Sequence, residues 1–141
     1  MAMTSFPLKI VTPDGLIFDG QAEEIVVRTT SGDIGILAGH VNCVAPLGMG
    51  RATVIIDGKR RYAACIGGMV SVVGGKVTLV PTTFEWAESI DAARAKASQK
   101  RAEGILRQKD ASGTEIKLAQ ARLHRALVRK SVASYKLFSQ G

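Results

Sequence analysis

Thr53-Val54-Ile55-Ile56 is followed by Asp57-Gly58 and, a few residues on, by Tyr62-Ala63-Ala64-Cys65-Ile66. Two β-prone runs flank a dipeptide that tolerates the positive φ angles of a tight turn, so the segment reads as a β-hairpin. Downstream, Met69 to Val73 and Lys76 to Val80 flank Gly74-Gly75 and repeat the pattern. Upstream, Phe6, Leu8 and Ile10 alternate with Pro7 and Lys9, and Pro13-Asp14-Gly15 turns the chain toward Leu16-Ile17-Phe18. Glu24 to Thr30 gives a further run, with Ile25 and Val27 on one face. Many short strands with frequent turns predict an antiparallel sandwich or flattened barrel. Helical crossovers are missing from this half, which argues against a parallel sheet.

The character of the chain changes near residue 85. All four prolines and 12 of the 15 glycines precede it. Residues 1–84 hold 7 Lys/Arg and 6 Asp/Glu, whereas residues 85–141 hold 12 and 6, so most of the formal +7 charge lies in the second part. That part reads as two helices. Ser89 is the expected cap of the first, which runs from Ile90 to about Gln108 through Ala- and Lys-rich sequence. Lys109-Asp110-Ala111-Ser112-Gly113 interrupts it, and Ser112 with Glu115 forms a capping box for a second helix reaching about Leu137. A short turn between helices predicts an antiparallel hairpin. The expected seam is Ile90, Ala93, Ala97, Gly104 and Ile105 against Ile116, Ala119, Leu123, Ala126 and Leu127. Small side chains bury little area at roughly 25 cal/mol per Å², so this seam is a weak one. Gly104 weakens its helix by about 1 kcal/mol relative to alanine.

The whole chain of 141 residues suits one core-bearing domain with an appendage and is too short for a barrel of roughly 250 residues. A hydrophobic fraction of 46% supplies a core and argues against disorder. No run of about 18 apolar residues offers a membrane span, and Met1 to Ile10 lacks the pattern of a secretory signal. Two cysteines, Cys43 and Cys65, read as buried hydrophobes rather than a disulfide framework.

Chemistry-bearing constellations are sparse. The glycine-dense stretch Gly32 to His40 has no Gly-Lys-Ser/Thr ending of a phosphate loop and reads as a bulge or turn. His40, Cys43 and Cys65 lack the fourth ligand and paired spacing of a zinc site, no Gly-x-Ser-x-Gly elbow occurs, and His124 has no carboxylate near in sequence. Charge gives the stronger signal. Arg94 and Arg101 share one helix face, and Arg122, Arg125 and Arg129 share another at i, i+3, i+7. If these faces meet, five guanidiniums converge, and their forks suit phosphate oxygens. Glu85 and Asp91 stand ready to order some of them or to accept from a ribose or base. The same residues also fit a solvated basic face or a contact with an acidic partner protein. Nucleic acid is disfavoured because the aromatics Trp86, Tyr135 and Phe138 lie only at the ends of this part.

In order and spacing the motifs resemble the epsilon subunit family of the F-type rotary ATP synthases. Val11-Thr12-Pro13-Asp14-Gly15 resembles its opening strand and turn, and Ser31 to Leu37 with Gly39-His40 its most distinctive segment. Gly67-Gly68-Met69 is similar to its Gly-Gly-Phe step, with methionine replacing the aromatic. Glu85 and then Ile90-Asp91-Ala92-Ala93-Arg94-Ala95 resemble the motif that opens its helical hairpin. The resemblance implies a flattened sandwich of about ten strands over residues 1–86 and an antiparallel helical hairpin over 87–141. It implies a non-catalytic central-stalk subunit of the bacterial type, requiring no cofactor, peripheral on the cytoplasmic face of the cell membrane. Its partners would be the gamma subunit, the c-ring and the alpha/beta catalytic head, with Asp33 and His40 as polar rotor contacts. The hairpin would fold on the sandwich or extend to inhibit hydrolysis. Some members bind ATP on the folded hairpin, and the matching positions here are Glu85, Ile90, Asp91, Arg94, Ala95, Arg101, Arg125 and Arg129. The alternative to a stalk subunit is a stand-alone regulatory module that binds nucleotide or nucleic acid. Tyr135-Lys136-Leu137-Phe138 adds apolar bulk at the C-terminus with no assignable partner.

Overall fold

In a computed structural model, which describes residues 4–135, both sequence-marked hairpins form at their turn dipeptides. Strand β6 (Met49–Ile56) turns into β7 (Lys59–Ile66) with Ile56 opposite Lys59, and Asp57 and Gly58 take φ of 53° and 76°. Strands β8 (Met69–Val73) and β9 (Lys76–Val80) pair in the same manner across Gly74-Gly75. Also present are β1 (Phe6–Thr12), β2 (Gly15–Ala22), β3 (Glu24–Thr29), β4 (Gly32–Leu37), β5 (Cys43–Pro46) and β10 (Thr83–Trp86).

The ten strands form two five-stranded sheets, ordered β2-β1-β9-β8-β5 and β10-β7-β6-β3-β4. Alternate residues of each strand face inward. Phe6, Leu8 and Ile10 of β1, Ile25 and Val27 of β3, Val70 and Val72 of β8, and Val77 and Leu79 of β9 fill the space between the sheets. One pairing departs from the antiparallel expectation: β1 runs parallel to β9, with Leu8 opposite Val77. Two strands distant in sequence meet there, beyond the reach of any turn signal.

The Gly32 to His40 stretch also differs from its expected bulge or turn. Gly32–Leu37 is the edge strand β4, paired with β3 and contributing buried Ile36 to the core. Only residues 38–42 form a loop. Gly67-Gly68 is the tightest point of the sandwich. Gly68 has φ of 92°, and a β-carbon there would run into the Val80 carbonyl oxygen and Pro81 Cα.

A three-residue 3-10 turn, Ala87–Ser89, leads to α1 (Ala92–Leu106), and α2 (Gly113–Ala133) returns antiparallel to it. Asp91, not Ser89, caps α1: its carboxylate accepts from the Arg94 amide at 3.0 Å, while Ser89 ends the 3-10 turn. Ser112 caps α2 as expected, accepting from the Glu115 amide at 3.1 Å. The expected seam holds on α2, apart from Leu127, and is out of phase on α1. Ala95 and Ala102 of α1 are buried against Ala119 and Ala126 of α2, whereas Ala93, Ala97, Gly104 and Leu127 are exposed. Alanine occurs on every face of α1, so composition gives its apolar period no phase. Ile90 is buried but belongs to the approach to the helix, packed with Ala64, Ala87, Val132 and Ala133. The expected end of α2 near Leu137 and the apolar bulk from Lys136 onward lie outside the described residues.

Two outcomes follow from this packing. Gly68→Ala should destabilise the sandwich by about 2–4 kcal/mol, since both the backbone angle and the Val80 carbonyl oppose it; a chemical denaturation midpoint equal to wild type would contradict this. Burial pushes the Cys65 thiol up to about 12, so it holds its proton at pH 8.5. Iodoacetamide should therefore leave Cys65 unmodified in the native chain and label it after denaturation, as read by peptide mass.

Candidate functional site

The edge strand β10 sets the site. Phe84 points into the core, so Glu85 points to the opposite face, toward the hairpin. There its Oε2 accepts from Nε of Arg129 on α2 at 3.3 Å and from the terminal nitrogen at 3.1 Å, and Nε also lies 3.1 Å from Oε1. Arg129 is the most enclosed of the ion-paired arginines, its side chain only 20% exposed.

The end of α2 is fixed beside this pair by apolar and aromatic contacts. Val132 and Ala133 pack on Ala64 of β7, Ala87 and Ile90. Beyond the helix, the Tyr135 ring lies 4.6 Å from that of Tyr62, and the Arg51 guanidinium stands 4.5 Å from the Tyr135 ring centre and 5.4 Å from that of Tyr62. On the neighbouring side Arg61 covers Trp86 at 3.7 Å and pairs with Glu88 at 2.7 Å. Cation–π contacts of this kind contribute about 0.5–2 kcal/mol each.

Between α1 and α2 lies a cleft of about 520 Å³ lined by Arg94, Ser98, Arg101, Ala102, Ile105, Arg122, Arg125, Ala126 and Arg129. Its size falls in the roughly 300–1,000 Å³ range of small-molecule sites. Five guanidiniums share it because the alanine seam brings the helices close and places the flanking positions on one side. Of the five, only Arg129 has a carboxylate partner among the described residues. Arg101 donates to the Ser98 hydroxyl at 3.1 Å. Like charges gathered without counter-charges favour an anion with several oxygens.

The nominated residues divide by position. Arg94, Arg101, Arg125 and Arg129 line the cleft, and Glu85 reaches it through Arg129. Asp91 is exposed and occupied as the cap of α1. Ile90 and Ala95 are buried in packing and do not line this cleft. Ser98 and Ile105 line the cleft and were missed; a polar residue one turn after Arg94 was the available signal. Asp33 and His40 lie apart, on β4 and the loop after it. Asp33 accepts from Arg28 Nε at 2.6 Å, and its hydrogen bond and charge raise the Arg28 pKa. His40 Nδ1 lies 2.8 Å from the Val41 carbonyl and therefore carries the proton in that bond. Among the described residues no three His, Cys, Asp or Glu side chains are grouped to hold a metal ion.

The fold is that of a packed sandwich bearing a helical arm whose two helices line an arginine-rich cleft. Comparison with known proteins makes this specific. Residues 5–87 match the ATP synthase delta/epsilon chain β-sandwich domain, and residues 88–134 match the delta/epsilon chain long α-helix domain. The ATP synthase epsilon chain of Bacillus velezensis is 44% identical over 131 residues, covering 93% of this chain and 98% of that one. The epsilon chain of Ruminococcus albus is 41% identical, covering 95% of this chain and all of its own. A chain in the mitochondrial ATP synthase of Euglena gracilis shares the fold at a TM-score of 0.80 and 22% identity, with 90% of this chain and 80% of that chain covered. The chain belongs to the ATP synthase delta/epsilon chain family, as a non-catalytic epsilon chain.

The anchoring of α2 gives a direct test. Tyr135→Ala removes the Tyr62 ring contact and half of the Arg51 stacking, a loss of about 1–2 kcal/mol. Amide exchange at Val132 and Ala133 should accelerate about 5- to 30-fold while exchange in β1 and β9 stays unchanged. Equal protection of the helix end in both proteins would refute the anchoring role.

Proposed function

We propose that this chain is a central-stalk rotor subunit that helps couple ion flow to ATP synthesis, and that its hairpin restrains ATP hydrolysis according to bound ATP. In this reading the sandwich joins the gamma subunit to the c-ring, and the hairpin, when extended, reaches the alpha/beta catalytic head. The complex places the chain at the cytoplasmic face of the cell membrane, peripheral to it. Supporting the stalk role is an exposed apolar strip on the first sheet, where Val80 is opposite Met69 and Met69 opposite Pro46, with Val44 on the next strand. Such strips mark surfaces covered in an assembly. Asp33 and His40 supply polar rotor contacts at the edge of the other sheet.

The observation that carries the regulatory part is the convergence of five arginines from two helices on one cleft. An anion held between α1 and α2 touches both and so favours the closed hairpin over any arrangement that separates them. Its effect on the switch equals its difference in affinity for the two arrangements. ATP requires no catalytic partner here and acts as a ligand, with no other cofactor needed.

Titration of the full chain with ATP, followed by calorimetry and Trp86 fluorescence, tests the reading. Wild type should bind saturably below millimolar ATP, and Arg125→Ala should bind at least about tenfold more weakly, as expected for loss of one charge-assisted contact. No binding at millimolar ATP would overturn the regulatory part. Failure of the tagged chain to purify with gamma and the catalytic head would overturn the stalk part.

A further inference from the structure

Within the cleft, charge is unevenly arranged. Glu85 neutralises Arg129 at the end nearest the sandwich. Arg94, Arg101, Arg122 and Arg125 have no carboxylate partner among the described residues, although all four line the same space. On α2, Arg125 lies four residues before Arg129 and Arg122 three residues before Arg125, so Arg122 is the cleft-lining arginine of that helix farthest from Glu85. At about 1.5 Å per residue, Arg122 sits about 4.5 Å beyond Arg125 toward the hairpin turn. With Arg129 compensated by Glu85 at the sandwich end and Arg101, Arg122 and Arg125 uncompensated farther along, the excess positive charge lies toward the turn and draws phosphates that way. Arg122 is exposed, and its side chain has no hydrogen bond or ion pair among the described residues. It is not among the positions matched to the ATP-binding members.

Resting on the ATP reading above, we propose that Arg122 is a specificity-determining residue that contacts the terminal phosphate of a nucleoside triphosphate. It thereby sets the preference for triphosphate over diphosphate. The diphosphate ends one phosphate short, where Arg101 and Arg125 suffice. The triphosphate carries one more negative charge and a terminal phosphate whose oxygens accept two hydrogen bonds from the Arg122 fork. A point charge at the same place keeps the attraction and loses the fork, so lysine replaces it only in part.

The test titrates ATP, ADP and inorganic tripolyphosphate into the full-length wild type, Arg122→Gln and Arg122→Lys at one fixed ionic strength. Arg122→Gln should weaken ATP and tripolyphosphate about tenfold and ADP less than about twofold, with Arg122→Lys in between for ATP. Equal weakening of ATP and ADP would show a general field effect and overturn the assignment, as would an ATP affinity unchanged in Arg122→Gln. A wild type that binds neither ATP nor tripolyphosphate would instead overturn the underlying reading of the cleft. Arg122 is on the helix surface, and matching far-ultraviolet circular dichroism of the variants confirms that folding is preserved.

Discussion

The contact on which the rest depends is the seating of the last turn of α2 on β7. Val132 and Ala133 rest on Ala64, and Ile90 and Ala87 close the sides of that small apolar cluster. Because Ala63 and Ala64 are both small, β7 can carry the core on one face and a helix on the other. Helix α1 has its main contacts with α2, so its position follows from that of α2. The Glu85–Arg129 pair, the opening of the cleft and the arrangement of its arginines are all set by this one seat. Its area is modest, since four of the five clustered residues are alanine or valine.

Sandwich and arm differ in what holds them together. Between the sheets, branched and aromatic side chains interlock, with Leu8, Ile10, Ile25, Ile36 and Leu79 all fully buried. Between the helices the buried residues are alanines, supplemented by half-buried Ile105, Ile116 and Leu123 and by one polar bridge, Lys130 to Gln99 at 3.4 Å. Four unpaired guanidiniums beside that seam repel one another. An anion relieves the repulsion at the same place where it adds contacts, which makes the arm far more responsive to ionic surroundings than the sandwich is.

The sequence made some of this plain and hid the rest for identifiable reasons. Asp57-Gly58 and Gly74-Gly75 specify their turns locally, and the β-prone strands around them leave both hairpins legible in the sequence. The meeting of the arginines was legible too, because a spacing of three and seven fixes a face once the segment is a helix. The parallel neighbour of β1 was not, as nothing local marks a partner nearly seventy residues away. Nor was the phase of α1, where alanine lies on every side and no bulky residue before Ile105 marks the inner face. The cap was misplaced by two residues because Ser89 and Asp91 are both good caps, and the 3-10 turn at Ala87–Ser89 decides between them. Gly32–Leu37 looked like punctuation because glycine is rare in strands, yet an edge strand tolerates it where only one neighbour must be matched.

The parallel pairing of β1 with β9 also bears on how the chain reaches its fold. Strand β1, made well before its neighbour, cannot complete its sheet until residues 76–80 are available. Until then β1 and its inward Phe6, Leu8 and Ile10 have β2 on one side and an open edge on the other. Long-range closure of this sort slows folding and leaves apolar edges open to wrong partners during synthesis. The arm is made after the sandwich, and its seat on β7 exists only once the second sheet has formed. Assembly during translation therefore has a fixed order, sandwich before arm.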